Sequence, residues 1–266
     1  MLRRLDAELV HRKLARSRDH ARQLIESGVV QVAGIVTPKP ATQVRPEASI
    51  RVESAPEDHY VSRGAHKLIG ALDRFQPRGL RLDGRLALDA GASTGGFTQV
   101  LLERGVTGVL AVDVGYGVLA WEVRNDARVH VYERMNVRHL TRADVAFVPE
   151  IIVADLSFIS LRTVLPALAE VAAEDADFVL MVKPQFEVGK DRVGSGVVRD
   201  PALRAAAVLD VAEAMQALGI GIRDVVASPL PGPSGNVEYF VWGTRGVEWC
   251  QELDAIIAGA VSEGPQ

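Results

Sequence analysis

The sequence predicts an α/β protein with a mostly parallel sheet, preceded by a small α+β domain. From about residue 86 onward, short apolar runs alternate with helical patterns, which is typical of a parallel sheet covered by helices on both faces. The first apolar run leads into a glycine-rich turn at residues 89–97. Residues 1–50 carry a charge of +4 in a chain of net charge −4, so a basic head precedes an acidic body.

Composition narrows the class of protein. The 266 residues are 48% apolar with a mean hydropathy of +0.11, which indicates a well-filled core and fits a small module plus a larger domain. No apolar run reaches the roughly 18 residues that span a bilayer. The start, Met1-Leu-Arg-Arg4, does not resemble a signal peptide. The single cysteine, Cys250, excludes an internal disulfide or a cysteine-cage metal site. We expect a cytoplasmic protein.

The head has the pattern of two helices and a small hairpin. Helices are predicted over 4–10 and 18–25, with Ser17 as N-cap and Gly28 as C-cap, followed by strands over 29–32 and 50–52. Its outer cations can lie along a phosphate backbone: Arg12, Lys13, Arg16, Arg18 and Arg22. Charge alone fits an ordinary solvated helix face equally well.

The order of residues in the head resembles the small RNA-binding domain named after ribosomal protein S-four. The matching positions include Arg4-Leu-Asp6, Leu14-Ala-Arg-Ser-Arg18, Gly28-Val-Val-Gln-Val32 and Gly34. The resemblance implies that residues 1–53 bind structured RNA by shape and backbone, with Arg4 added to the cations above. Residues 54–62 contain Pro56 and no periodicity, so they are interpreted as a linker to a domain over 63–266.

The glycine-rich turn predicts a nucleotide-like ligand. A buried strand ends at Asp89, glycines at 91, 95 and 96 let the backbone approach a ligand, and Asp113 follows Gly91 by 22 residues, the spacing of a carboxylate that binds ribose hydroxyls. The spacing Gly-x-x-x-Gly-Gly is not that of a pyrophosphate-binding turn. A nucleoside ligand without phosphates, such as S-adenosylmethionine, fits better.

Further strands are predicted over 109–113, 129–132, 151–155, 178–182, 225–227 and 237–242, with helices over 160–172 and 202–218. Asp89, Asp113, Asp155 and Lys183 all fall at carboxyl ends of strands, where open α/β sheets bind their ligands. Lys67 lies near the start of another predicted helix, where a lysine alone is usually a solvated surface residue.

The larger domain resembles the FtsJ-type ribose 2′-O-methyltransferases, and with the head it resembles their TlyA group. The matching motifs are Tyr60-Val-Ser-Arg-Gly-Ala-His-Lys67, Asp89 to Phe97, Asp155-Leu-Ser-Phe158, Lys183-Pro-Gln-Phe186 and Asn236-Val-Glu-Tyr-Phe240. The resemblance implies a Rossmann-like methyltransferase sheet with an antiparallel last strand. It also implies methylation of cytidine ribose in ribosomal RNA by S-adenosylmethionine. Ser93-Thr94 departs from the broader pattern, in which a proline is common.

The resemblance assigns a catalytic tetrad to Lys67, Asp155, Lys183 and Glu238. A ribose hydroxyl is a very weak acid, so a lysine with a lowered pKa is expected to accept its proton. We assign Lys183 as that base or hydroxyl activator, Lys67 as the cation that tunes it, Asp155 as its orienting partner, and Glu238 as the group that fixes Lys67 and the ribose. No metal is required. Taken alone, Asp155 or Glu238 would be interpreted as one partner of an ordinary salt bridge.

The predicted cofactor-binding residues are Asp89, Gly91, Ser93, Gly95, Gly96, Phe97, Asp113, Asn136 and Asp155. Asn136 is the weakest of these, because an asparagine in a loop is usually a turn former. RNA contacts are also predicted for Arg63 and, in a long glycine-rich loop over 184–201, for Lys190 and Arg192. Trp121 and Arg124 are expected to pack a helix.

Several functions remain open at this point. The expected substrates are ribosomal RNA or ribosomal subunits, with cytidines of both subunits methylated and an effect on tuberactinomycin sensitivity. The alternatives are action on the large subunit alone, a membrane-active haemolysin, an RNA-binding module with an inactive second domain, a pseudouridine synthase or a nicotinamide dehydrogenase. We expect a monomer or a weak oligomer.

Overall fold

The structure is a computed structural model that describes residues 2–12, 14–15, 18–26, 28–52, 59–189, 196–248 and 250–264. Residues 1–59 and 60–266 form two compact units, which are described separately. Ser17 and residues 54–58 of the expected linker lie outside the described residues, whereas Tyr60, Val61 and Ser62 belong to the second unit.

The first unit packs two helices against short strands. Leu5, Leu9, Ala21, Ile25 and Val30 are fully buried in its core, which explains the helical spacing of these apolar residues. Ala33 and Gly34, which both have positive φ values, form the tight turn between two antiparallel strands. Its elements are β1 (Arg3–Arg4), α1 (Leu5–His11), α2 (Arg18–Glu26), β2 (Val30–Val32), β3 (Ile35–Val36), β4 (Gln43–Val44) and β5 (Ile50–Val52).

The second unit contains a seven-stranded sheet in the order β11-β12-β10-β9-β6-β7-β8. Neighbours from β10 to β8 are parallel, and β12 is antiparallel to both of its neighbours, which confirms the predicted topology. The strands are β6 (Leu86–Ala90), β7 (Gly108–Val112), β8 (Val129–Tyr132), β9 (Ile151–Ala154), β10 (Asp177–Val182), β11 (Ile220–Ala227) and β12 (Tyr239–Arg245).

Helices cover both faces of this sheet. Alternate residues of the central strands point to opposite faces, so α6, α8 and α9 bury one apolar layer and α3 and α4 bury the other. The helices are α3 (Gly64–Phe75), α4 (Gly96–Glu103), α5 (Trp121–Arg124), α6 (Leu161–Val171), α7 (Pro184–Glu187), α8 (Pro201–Ala217) and α9 (Leu253–Glu263). Chain order reverses between β6 and β9, and ligands of open α/β sheets bind at such a switch point.

Three local predictions differ from the structure. β11 begins at Ile220, not at 225, because polar residues and a register shift between Ile222 and Asp224 interrupt its apolar pattern. The segment after Lys183, expected to be a loop, begins with the helical turn α7. Trp121 is 76% exposed, since α5 packs through Val123 instead, so the expected packing role of Trp121 was wrong.

Candidate active site

Lys183 and Asp155 form an ion pair at the carboxyl ends of the parallel neighbours β10 and β9. Lys183 Nζ lies 2.5 Å from Asp155 Oδ1 and donates a hydrogen bond of 3.0 Å to Ser157 Oγ. Lys183 is buried, whereas Asp155 is half-buried and Ser157 is exposed. The amine is therefore held in place by two acceptors from the loop that follows β9.

Lys67 and Glu238 form a second ion pair, with Lys67 Nζ 2.5 Å from Glu238 Oε2. Both side chains are buried, so the pair is shielded from water. Two glycines permit this approach. A Cβ at Gly70, on α3, would lie 2.7 Å from Pro229, and a Cβ at Gly232 would lie 2.6 Å from Glu238 Oε1. The loop before β12 therefore closes on α3 only where side chains are absent.

The two ion pairs lie at adjacent strand ends. The antiparallel register joins Val182 to Tyr239, so Lys183 and Glu238 occupy the next positions on neighbouring strands. β9 lies on the other side of β10 and carries Asp155. The structure thus places Asp155, Lys183 and Glu238 along one edge of the sheet, and Lys67 joins them from α3.

The glycine-rich turn approaches the end of β9 closely. Gly91 has a φ of +87°, and a Cβ there would lie 2.5 Å from the carbonyl oxygen of Asp155. Ser93 also has a positive φ, +48°, which is uncommon for a residue with a side chain and is typical of strained functional turns. Gly95, with a φ of +100°, is the N-cap residue of α4.

A cleft of about 440 Å³ opens between this turn and the ends of β7, β8 and β9, a size that suits a small ligand. Five of the predicted cofactor residues line it: Gly91, Ser93, Asp113, Asn136 and Asp155. Asp113 accepts hydrogen bonds from the backbone N–H groups of Ser93 at 2.8 Å and Gly115 at 2.6 Å. Asn136 caps the short helix over 137–139 and still faces the cleft, so it is a turn former as well.

The remaining predicted cofactor residues lie beneath the turn. Gly96 lies against Ser62 and Ala65, and Phe97 packs on Phe240 with 6.0 Å between ring centroids. Gly95 lies against Leu119 and Val123. These residues shape the turn and the start of α4, and they do not line the cleft.

Asp89 is also beneath the turn and is completely buried. Its Oδ2 accepts a hydrogen bond of 2.7 Å from Thr98 Oγ1, whereas its buried Oδ1 has no hydrogen-bond partner among the described residues. The pKa of Asp89 is raised to about 7, chiefly by burial; the hydrogen bond from Thr98 opposes the rise and the nearby Asp155 carboxylate adds to it. Asp89 ties the end of β6 to α4.

The predicted RNA-binding residues of the first unit surround two buried acids. Arg4, Arg18 and Arg22 form ion pairs with Asp6, and Arg12 pairs with Glu8. In the second unit, Arg63 is exposed just before α3. The other predictions, Lys13, Arg16, Lys190 and Arg192, fall outside the described residues.

Sequence reasoning missed several residues around Lys183. Ser157 binds its amine, and Phe158, 91% exposed with a φ of +64°, contacts Phe186 at 5.3 Å between ring centroids. Glu187 is buried and accepts hydrogen bonds from Ser160 Oγ at 2.5 Å and from the N–H of Leu161 at 2.8 Å. Burial raises the pKa of Glu187. Ser157 and Phe158 lie within the Asp155 motif and Glu187 directly follows the Lys183 motif, and these positions were the available signal.

Two kinds of feature are absent from the described residues. No helix there is both long and apolar enough to cross a membrane. Likewise, within the described ranges, no group of three or more His, Cys, Asp and Glu side chains is arranged to hold a metal ion.

Comparison with known proteins agrees with this geometry. Residues 60–245 match the FtsJ-like methyltransferase family, and residues 3–50 match the S4 domain. The 16S/23S rRNA (cytidine-2′-O)-methyltransferase TlyA of Mycobacterium tuberculosis is 55% identical over 266 residues, covering 98% of each chain. The 23S rRNA (cytidine-2′-O)-methyltransferase TlyA of Campylobacter jejuni is 36% identical over 185 residues, 69% of this chain and 70% of that one.

A solved structure from Streptococcus thermophilus, described under the name hemolysin, superimposes with a TM-score of 0.77 at 31% identity and covers 98% of this chain and 96% of its own. Both the sequence match and the fold therefore extend over nearly the whole chain. The chain belongs to the FtsJ-like methyltransferase family, in its TlyA group, with an S4 domain before the methyltransferase domain.

Proposed function

We propose that the protein transfers a methyl group from S-adenosylmethionine to the ribose 2′-hydroxyl of cytidine in ribosomal RNA. The observation that carries this proposal is the pair of lysine–carboxylate contacts at adjacent strand ends, beside a cleft of ligand size. The name and the extent of the 55% identical relative support the same reaction.

The residues of the cleft suit S-adenosylmethionine. Asp113 and Asp155 present carboxylates to a ligand that carries positive charge and a ribose diol. Gly91 offers backbone without a side chain, and Asn136 offers an amide that can pair with a base edge. When bound, the cofactor supplies an activated methyl group on a sulfonium. This chain's residues have to orient the acceptor hydroxyl and remove its proton.

Lys183 is the proposed acceptor of that proton. Its Nζ is fixed by Asp155 and Ser157, so the amine points in one direction before the substrate arrives. An ammonium has no lone pair, so Lys183, paired with Asp155, must give up one proton to solvent before it can act as a base. A positive charge beside a lysine disfavours its ammonium form, and the sulfonium of a bound cofactor would supply such a charge. Fixed alignment of base and hydroxyl contributes to the rate by proximity.

Lys67 and Glu238 are the proposed holders of the ribose. Glu238 lies across from Lys183 at the end of the neighbouring strand. Its ion pair therefore brings the buried Lys67 cation to the same edge of the sheet. Glu238 Oε1 is buried beside Gly232 and has no hydrogen-bond partner among the described residues, so it is an unsatisfied acceptor. A buried acceptor without a partner is costly, which favours a role in binding substrate.

The proposed substrate is ribosomal RNA of both subunits, acted on in the cytoplasm where ribosomes are made. The relative named for both 16S and 23S RNA shares 55% identity over 98% of the chain, whereas the relative named for 23S RNA alone shares 36% over 69%. The S4 domain would bind the RNA, largely through its backbone. Loss of these methyl groups is expected to change sensitivity to tuberactinomycins.

Mapping of 2′-O-methylcytidine in both ribosomal RNAs tests the proposal. Purified protein with S-adenosylmethionine should add methyl groups to unmethylated small- and large-subunit RNA. Lys183→Ala should abolish transfer, at least about a hundredfold, while titration calorimetry still shows cofactor binding. Arg81→Ala, at an exposed arginine of the segment that precedes β6, is the control and should retain activity.

Each outcome decides a different part of the proposal. Unmethylated small-subunit RNA would refute the action on both subunits and leave the reaction intact. Near-normal transfer by Lys183→Ala would remove Lys183 from the role of base. No binding of S-adenosylmethionine by the unaltered protein would overturn the proposed cofactor.

A further inference from the structure

The first unit, which is basic, contains a buried carboxylate, that of Asp6. Asp6, in the first turn of α1, is completely buried, yet three arginines converge on it from the surface. Arg4 binds it with two hydrogen bonds of 3.0 and 3.1 Å, and Arg18 adds one of 3.1 Å. Arg22, one turn further along α2, lies 3.8 Å from the same Oδ2.

The three guanidinium groups that face Asp6 also reach the surface of the unit. The side chains of Arg4, Arg18 and Arg22 remain 42%, 55% and 49% exposed. A guanidinium carries five donors in a rigid fork, so an arginine fixed by one or two of them can still present others to a phosphate. Asp6 thus brings three cations from two elements into one fixed cluster.

From its charge alone, the Asp6 carboxylate should weaken the binding of a polyanion such as RNA. The unit is basic, and a negative charge among its arginines subtracts from the attraction to a polyanion. Hydrogen bonding by Arg4, with help from Arg18, holds the pKa of Asp6 well below its usual range, so the charge is present at every working pH. Flexible arginines, however, lose conformational freedom when RNA orders them, and a prior anchor reduces that cost.

We propose that Asp6 is a positioning residue for RNA binding: it touches no RNA itself, but fixes Arg4, Arg18 and Arg22 as a ready-made phosphate-binding cluster. This inference rests on the proposed binding of RNA by the first unit. Glu8 binds two arginines, Arg3 at 2.7 Å and Arg12 at 2.7 Å. It differs from Asp6 because Arg12 also donates to the carbonyl oxygens of Ala48 at 2.8 Å and Pro46 at 2.5 Å. The Glu8–Arg12 pair therefore ties the fold together.

The test compares two substitutions that remove the same charge. Asp6→Asn removes the anchor, and Glu47→Gln removes an exposed carboxylate of the same unit. Affinity of the full chain for a large-subunit RNA transcript is measured across a salt series. We expect Glu47→Gln to bind equally or more tightly, and Asp6→Asn to bind about fivefold to tenfold more weakly, with the salt slope reduced by about one phosphate contact or more.

Two further measurements separate unfolding of the unit from loss of the Asp6 anchor. Hydrogen exchange over 5–11 and 18–26 shows whether the unit stays folded in Asp6→Asn. If it does not, Asp6→Glu keeps the charge but shifts it by one methylene, and weaker binding by a folded unit is then the expected result. Arg18→Ala should also weaken binding less in the Asp6→Asn background than in the unaltered chain.

Tight binding by Asp6→Asn, equal to that of Glu47→Gln, would overturn the positioning role while RNA binding stands. Unchanged binding by a folded Asp6→Glu chain would overturn it as well. Absence of RNA binding by the unaltered protein would overturn the proposed RNA-binding function, and this inference with it.

Discussion

The buried pair of Lys67 and Glu238 shows what the site requires of single residues. Moving two charges out of water costs several kcal/mol per ion, and pairing recovers that cost only in good geometry. The contact of 2.5 Å and the exclusion of water meet this condition, but an apolar pair of the same size would serve stability as well. The charges are therefore best explained by function.

If the pair serves function, a second substitution should restore the stability that is lost with Lys67 without restoring activity. Lys67→Met leaves Glu238 buried without its cation and should lower the free energy of unfolding by about 3 kcal/mol. Adding Glu238→Gln removes the orphaned charge, so denaturant unfolding should show that much of the loss is recovered. Methyl transfer should stay abolished in both variants. Recovery of activity along with stability would show that the pair is only structural.

Asp89 gives a prediction for the dependence of stability on pH. The unfolded carboxyl has a pKa near its ordinary value of 3.8, and burial raises the folded value to about 7. Between these values the folded chain binds more protons than the unfolded chain, so the contribution of Asp89 to stability is complete below pH 4 and is lost as pH rises through about 7.

The Tm of Asp89→Asn should therefore change less between pH 5 and pH 8 than the Tm of the unaltered protein. At pH 8 the variant should have the higher Tm of the two. Asp144→Asn is the control. A hydrogen bond from Thr141 lowers the pKa of Asp144. The Asp144 carboxyl is therefore ionised above pH 5 in the folded and in the unfolded chain, and its replacement should not change the pH dependence of Tm in this range. Thermal unfolding across this range decides the point. A fall in Tm with pH as steep in Asp89→Asn as in the unaltered protein would contradict the assignment.

At the scale of elements, the turn between β6 and α4 depends on one missing side chain. A Cβ at Gly91 would meet both the Asp155 carbonyl oxygen and the Leu156 side chain. Gly91→Ala is thus expected to push the turn away from β9 and to weaken binding of S-adenosylmethionine at least about tenfold, in addition to the strain of a positive φ, about 1–2 kcal/mol.

Gly84→Ala separates these two effects. Gly84 has a φ of +77° with open space where a Cβ would stand, and it lies before β6, away from the cleft. Calorimetry should show nearly unchanged cofactor affinity and thermal unfolding a modest loss of Tm. Equal losses of affinity in both variants would mean that backbone strain, and not the approach to β9, controls the turn.

The elements differed in how well the sequence predicted them. β6, β7 and β9 are continuous apolar runs because both of their faces are buried, and such runs are easy to recognise. β11 was predicted too short, since Gly221 and Arg223 interrupt its pattern. A Cβ at Gly221 would lie within 2.6 Å of the Glu248 carbonyl oxygen, a contact that only the folded chain reveals.

For the molecule as a whole, the parallel sheet made the site predictable. Carboxyl ends of parallel strands share an edge, so Asp155 and Lys183 could be placed together from their positions after two apolar runs. Lys67 could be added only by family resemblance. Its contact with Glu238 depends on the approach of α3, at Gly70, to a loop 159 residues later in the chain, at Pro229, and no local pattern encodes that approach.

The position of β12 has a consequence for biosynthesis. The strand made last is inserted between β10 and β11, which are both complete earlier in the chain. While the ribosome is still translating residue 230, β10 lacks its neighbour on that side and exposes unpaired backbone groups. Glu238 has not yet been added. A nascent chain at that stage is expected to be inactive and vulnerable to aggregation, and both conditions end together once β12 has been added.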